Sequence, residues 1–203
     1  MILKGLDFLK PLPFPQGEDP TNCVLYAYAN LLGDFPEALK AKRKKKDGHN
    51  TEEEIRILRL LQPFFGGHNV FPYSIACNGG SDYDGLTVDQ VESSIRGSWA
   101  MDFDSKNWFY PVFATVASQV NIGGLHRVVF FTDGYGYKTP EHTRIILADS
   151  QLGSFVQFNS LKKFVQYYKT VHDMQILTYF DGTLPGLRQL YFQKSKYNHI
   201  PWK

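Results

Sequence analysis

The sequence predicts an α+β fold, with a helical first half followed by an antiparallel sheet. Three observations lead there. Apolar residues recur every three or four positions, between helix start and stop signals, up to about residue 97. Short aromatic and β-branched runs then fill most of 109–180. Helices and strands are segregated along the chain, whereas a parallel sheet would alternate them.

The first strong helix opens at Cys23, with Val24, Leu25, Ala27, Tyr28, Leu31 and Leu32 on one stripe and Gly33 as its stop. Asp34-Phe35-Pro36-Glu37 has the form of a second helix start, predicted to run to about Lys45. Thr51-x-x-Glu54 matches a capping box before Ile55, Leu58 and Leu61, in a helix that must stop near Pro63. Thr87-x-x-Gln90 is another, before Val91 and Ile95. Strands are predicted over 109–117, 127–132, 144–148, 155–158 and 174–180, with a hairpin turn at Asp133-Gly134-Tyr135-Gly136-Tyr137. Asn159 or Ser160 caps a helix carrying Leu161, Phe164, Val165 and Tyr168 on one face. A single domain over 1–203 is expected, with a helical lobe at about 12–100, a β lobe at about 101–182 and a polar, aromatic tail at about 183–203.

A chain of 203 residues with 43% hydrophobic residues can bury a sizeable core, which excludes a disordered protein. No apolar stretch reaches the roughly 18 residues of a membrane span, and Lys4, Asp7 and Lys10 interrupt any secretory leader. Two cysteines are too few for a disulfide framework. The expected location is therefore cytoplasmic or virion-associated, without a signal peptide. The net charge of +2 hides six cations between Lys40 and Lys46, so the rest of the chain is net negative. That run reads first as a solvated helix end. With no interleaved aromatic–basic pattern around it, nucleic-acid binding is the weakest reading of this segment.

Cys23 stands at the head of its helix, where backbone N–H groups favour a thiolate. His126 leads a strand after the flexible Asn121-Ile122-Gly123-Gly124, and Asp149 ends the next strand. Antiparallel neighbours put the start of one strand beside the end of the other, so His126 and Asp149 should lie side by side. Gln16, seven positions before Cys23, could join the Cys23 N–H in an oxyanion hole. A nucleophile, its base, an orienter and oxyanion donors are the parts that cysteine catalysis needs. Each residue alone also has an ordinary reading: a buried thiol, a core histidine, a turn acid, a surface glutamine.

The order Gln16, Cys23, His126, Asp149 resembles the papain-like cysteine peptidases, closest to the compact bacterial branch that processes bacteriocin leaders. Tyr110-Pro111-Val112-Phe113, Asp149-Ser150-Gln151-Leu152-Gly153 and Asn159-Ser160-Leu161-Lys162-Lys163-Phe164 resemble flanking segments of that branch. The resemblance spans roughly Leu12 to Tyr168 as scattered motifs. It implies a helical lobe packed on an antiparallel β lobe, with the site in the cleft between them. It also implies a Cys23–His126–Asp149 triad that cleaves an amide through an acyl-enzyme, on a peptide or protein substrate, without cofactor or metal. The Gln16–Cys23 interval is one longer than the family's, and no Ser-Cys-Trp context surrounds Cys23. Cys77-Asn78-Gly79-Gly80 resembles a papain-family tetrapeptide whose cysteine is disulfide-bonded, but Pro20 occupies the partner position, so Cys77 is expected to be a free thiol.

Two other uses of the same scaffold are open on the sequence. One is a catalytically silent structural or interaction module in an assembly such as a phage particle, suggested by the basic run and the aromatic tail. The other is acyltransferase or transglutaminase-like chemistry by the same triad. Asp82-x-Asp84-Gly85 starts like a calcium loop but has Leu86 where an oxygen ligand is needed. No phosphate-binding or paired-cysteine zinc motif is present.

Overall fold

The computed structural model describes residues 6–77, 85–91, 93, 107–120, 123–132 and 144–202. The chain order is β1 (Asp7–Pro11), α1 (Cys23–Leu32), α2 (Glu37–Lys40), α3 (Thr51–Leu60), β2 (Val70–Cys77), β3 (Trp108–Ala117), β4 (Leu125–Thr132), β5 (Ile145–Asp149), β6 (Ser154–Phe158), α4 (Leu161–Tyr168), β7 (Val171–Phe180), β8 (Leu187–Gln189) and β9 (Phe192–Gln193). The main sheet runs β1-β6-β5-β4-β3-β7-β2, with β8 added to β7 and β9 to β3. Every described pairing is antiparallel. The α+β class therefore holds. No helix among the described residues is long and apolar enough to cross a membrane.

Both faces of the central strands are covered, which is why they read as nearly continuous apolar runs. Phe113, Val129, Phe131, Ile146, Ala148 and Phe155 pack with α1, α3 and the C-terminal segment. The alternate residues, among them Val112, Val128, Phe130, Leu147 and Val156, pack with Leu161, Phe164, Val165 and Tyr168 of α4. Period-two alternation thus serves two cores.

The helices α1 and α4 form where the sequence predicts them. Gly33 closes α1 at φ 68°, its N–H bonded to the Ala29 carbonyl at 2.8 Å. Ser160 caps α4 by accepting from the Lys163 N–H. Thr87 and Gln90 exchange the two hydrogen bonds of a capping box.

Four expectations need correction. The helix predicted from Asp34 to Lys45 is a single turn, Glu37–Lys40. Instead of continuing it, Lys44 gives both its backbone N–H and its carbonyl to the side chain of Asn22. The capping box of α3 is Asn50 with Glu53, one position before the predicted pair. That shift frees Glu54 to turn inward.

The predicted helical lobe also contains a strand, β2, and β1 just before that lobe pairs at the opposite edge of the sheet. β2 carries Pro72, which argues against a strand in sequence but is tolerated at a sheet edge. The C-terminal segment is not a free tail. Phe192, Tyr197 and Ile200 are buried, and Trp202 packs on Phe109 with ring centroids 4.7 Å apart. The hairpin turn predicted at 133–137, the calcium-like start at Asp82 and Asp84, and the side chain of Cys77 lie outside the described residues.

Candidate active site

The first turn of α1 sets Cys23 beside the start of β4. α1 packs on β4 and β5 through the core that includes Leu25, Val129, Ile146 and Ala148. The β4–β5 ladder covers only Val129–Thr132 on the β4 side. Beyond its end the Arg127 N–H donates to Cys23 Sγ at 3.4 Å. The sulfur is half-buried and belongs to a free thiol.

The same register accounts for the second pair. Val129 faces Ala148, so one step further sets Asp149 against Val128, diagonal to His126 and on the same face. The His126 Nε2 to Asp149 Oδ1 distance is 2.7 Å, and both side chains are buried. Asp149 also accepts from the Tyr168 hydroxyl at 2.6 Å and from the Gln151 N–H at 2.8 Å. Burial disfavours its charge, but the His126 hydrogen bond and charge, with those two donors, hold its carboxyl below the usual range.

Burial likewise disfavours a charged imidazole at His126. The hydrogen bond to Asp149 and the interactions with Cys23 outweigh it and raise the His126 pKa to about 9. With Nε2 held by Asp149, the buried Nδ1 makes no hydrogen bond among the described residues. Nδ1 is thus the nitrogen left to serve a thiol or a substrate atom. The expected adjacency of His126 and Asp149 is present, with Cys23 in electrostatic reach of the ring.

Gln16 is buried, and its side chain is held by Ser150 and Asp19. Its N–H bonds the Ser150 carbonyl at 2.9 Å and its Oε1 accepts from Ser150 Oγ at 2.8 Å. Its Nε2 donates to the Asp19 carbonyl. Gln16 is therefore anchored to Ser150, the residue after Asp149, and it lines a small pocket with Asp19, Pro20 and Gln151. The pocket shared by Cys23 and His126 is a different one, adjoining at Pro20.

That larger pocket measures about 650 Å³ and is walled by Cys23, Glu54, Leu125, His126, Arg127 and Asp173, among others. Arg127 is the residue that sequence reasoning missed. It alternates with Val129 and Phe131 on an inward face, where an arginine must find acids. Its guanidinium reaches Glu54 at 3.0 Å, Asp173 at 3.3 Å and Thr115 Oγ1 at 3.0 Å, and it also bonds Gln175. Tyr28 closes the cluster, its hydroxyl donating to Glu54 at 2.7 Å. A lone inward arginine in an apolar strand was the available signal.

Among the described residues, no group of three His, Cys, Asp or Glu side chains is placed to hold a metal ion. No family model, curated protein or solved structure matches this chain.

Proposed function

We propose that this protein is a papain-like cysteine hydrolase, a peptidase that cleaves an amide bond through Cys23, His126 and Asp149. One observation carries the reading. His126 is fixed by Asp149 through Nε2, which leaves only Nδ1 to interact with Cys23, in a pocket lined by both residues.

In this mechanism His126 Nδ1 takes the Cys23 proton, and the sulfur attacks the amide carbonyl. The oxyanion is held by the Cys23 N–H and by the second amide hydrogen of Gln16, once the substrate draws that side chain towards Cys23. His126 then protonates the departing amine as the tetrahedral species collapses to a thioester. Water, deprotonated by His126, attacks the thioester and releases the acid and the thiol. Asp149 stays ionised throughout and keeps the ring oriented.

Two of the features that suggested a silent assembly module, the aromatic tail and Lys44 of the basic run, have partners within the chain. The aromatic tail packs on Phe109, and Lys44 is held by Asn22 and Glu53. The test is alkylation with limiting iodoacetamide near neutral pH, followed by peptide mapping. Cys23 is expected to react far faster than Cys77, and His126→Ala should abolish the difference. Equal, slow reaction of both cysteines would overturn the proposal.

A further inference from the structure

The walls around Cys23 are acidic in a chain that is net positive. The large pocket is bordered by Asp47, Glu54 and Asp173 against one permanent cation, Arg127, with His49, His126 and His172 also in its wall. The adjoining pocket adds Glu18 and Asp19 with no cation. His126 contributes no net charge, because Asp149 balances it. None of the six cations between Lys40 and Lys46 lines either pocket. Lys44 is spent on Glu53, and Arg43 lies over the rings of Phe35 and Tyr26.

Arg127 cannot cancel three carboxylates. Its closest acid is Glu54, both of whose oxygens it reaches, at 3.0 and 3.3 Å. Asp173 receives the longer contact, its other donors being the uncharged Thr115 N–H and Gln175 amide, each at 3.1 Å, and it keeps about a quarter of its side chain exposed. Asp47, at the rim, makes no ion pair or hydrogen bond among the described residues. Two acids thus face the pocket without a full counter-charge. His126, almost wholly buried, and Cys23 line the same pocket, so a group held between these acids lies beside the proposed nucleophile.

We infer that the pocket beside Cys23 selects a substrate with a cationic side chain, lysine or arginine, next to the scissile amide, with Asp173 and Asp47 as its specificity determinants. The inference rests on the cysteine-hydrolase reading of Cys23. A cation entering between these acids gains Coulombic attraction in a partly desolvated site, whereas a carboxylate is repelled. The selection is built by topology. β7 carries Asp173 to the pocket wall, and the Asn22–Lys44 hydrogen bonds hold the loop that ends in Asp47.

The test uses three peptidyl vinyl sulfones that differ only in the residue beside the reactive group: lysine, norleucine or glutamate. The rate of Cys23 modification is read by mass spectrometry, with Cys23→Ala as the blank. The lysine probe is expected to react about tenfold faster than norleucine, with glutamate slowest. In about 1 M salt, where the Debye length is roughly 3 Å, the lysine advantage should shrink. Asp47→Asn and Asp173→Asn should each lower the lysine-to-norleucine ratio. Asp47→Asn is the safer variant, since asparagine tolerates the left-handed backbone at that position (φ 68°). If norleucine modifies Cys23 as fast as lysine does, the inference fails and the hydrolase reading stands. If no probe modifies Cys23, both fail.

Discussion

Tyr168 and His126 grip the two oxygens of Asp149 from opposite elements, the α4 hydroxyl on Oδ2 at 2.6 Å and the β4 imidazole on Oδ1 at 2.7 Å. Tyr168 is buried, so removing its hydroxyl leaves a charged acceptor short of one donor. Tyr168→Phe is expected to lose about 1.5–3 kcal/mol of stability at neutral pH, the range for a hydrogen bond to an ionised group. Urea unfolding measures it. The loss should diminish in acid, as Asp149 protonates and its demand for donors falls. A loss of equal size at every pH would assign it to packing alone.

The His126–Asp149 pair also sets a pH window. His126 is raised from 6.5 to about 9, so its contribution to stability is full below about 6.5 and is lost as pH rises through 9. Asp149 is shifted the other way, so its contribution is present above the ordinary carboxylate range and is lost as pH falls through its lowered value. Hydrolysis that needs a protonated His126 should decline on the alkaline side with an apparent pKa near 9. An NMR titration of the His126 ring checks this directly, and Asp149→Asn should move the midpoint down. A midpoint near 6.5 in the native chain would refute the coupling.

What could be read from the sequence follows from how far each signal reaches. The adjacency of His126 and Asp149 was legible because it needs only two antiparallel strands and a strand end. Helix α4 was legible because Ser160, Leu161, Phe164, Val165 and Tyr168 fix a cap and a face within nine residues. The end of α2 was not, because the chain beyond it is held at Lys44 by Asn22, 22 positions earlier. Arg127 was hidden for the same reason, its partners Glu54 and Asp173 lying in α3 and β7. The Gln16 amide is turned towards Asp19 and Ser150 by contacts that no motif encodes, so its spacing to Cys23 could not reveal them.

The Arg127–Glu54 pair is buried and near the nucleophile, so removing one partner strands a charge. Arg127→Met is expected to destabilise by about 3–5 kcal/mol, measured as a lowered denaturant midpoint. Arg127→Met combined with Glu54→Leu should recover part of that loss, because the buried Glu54 charge goes with its partner and the Asp173 left behind is partly exposed. If the double variant folds but Cys23 reacts more slowly, the guanidinium serves function as well as stability, because methionine keeps the backbone N–H that meets the sulfur. Additive losses in the double variant would show that the two residues do not act as a pair.

Asn22 makes a last, separable prediction about the basic loop. Its buried amide mimics a strand partner, donating Nδ2 to the Lys44 carbonyl at 2.8 Å while Oδ1 accepts from the Lys44 N–H at 2.8 Å. Thr21 Oγ1 adds a second bond to the same carbonyl at 3.0 Å. This clip spends the side chain that would otherwise cap α1, and no side-chain cap is present there. Asn22→Ala leaves the Lys44 N–H without that acceptor and takes one of two donors from its carbonyl, at a cost of about 1–3 kcal/mol. The loop carrying Lys42 to Lys46 is then expected to open locally before the rest of the fold. Limited trypsin digestion should cut the variant first within 42–46, while the native chain resists there. A variant cut first elsewhere, with this loop still protected, would show that Asn22 does not hold it.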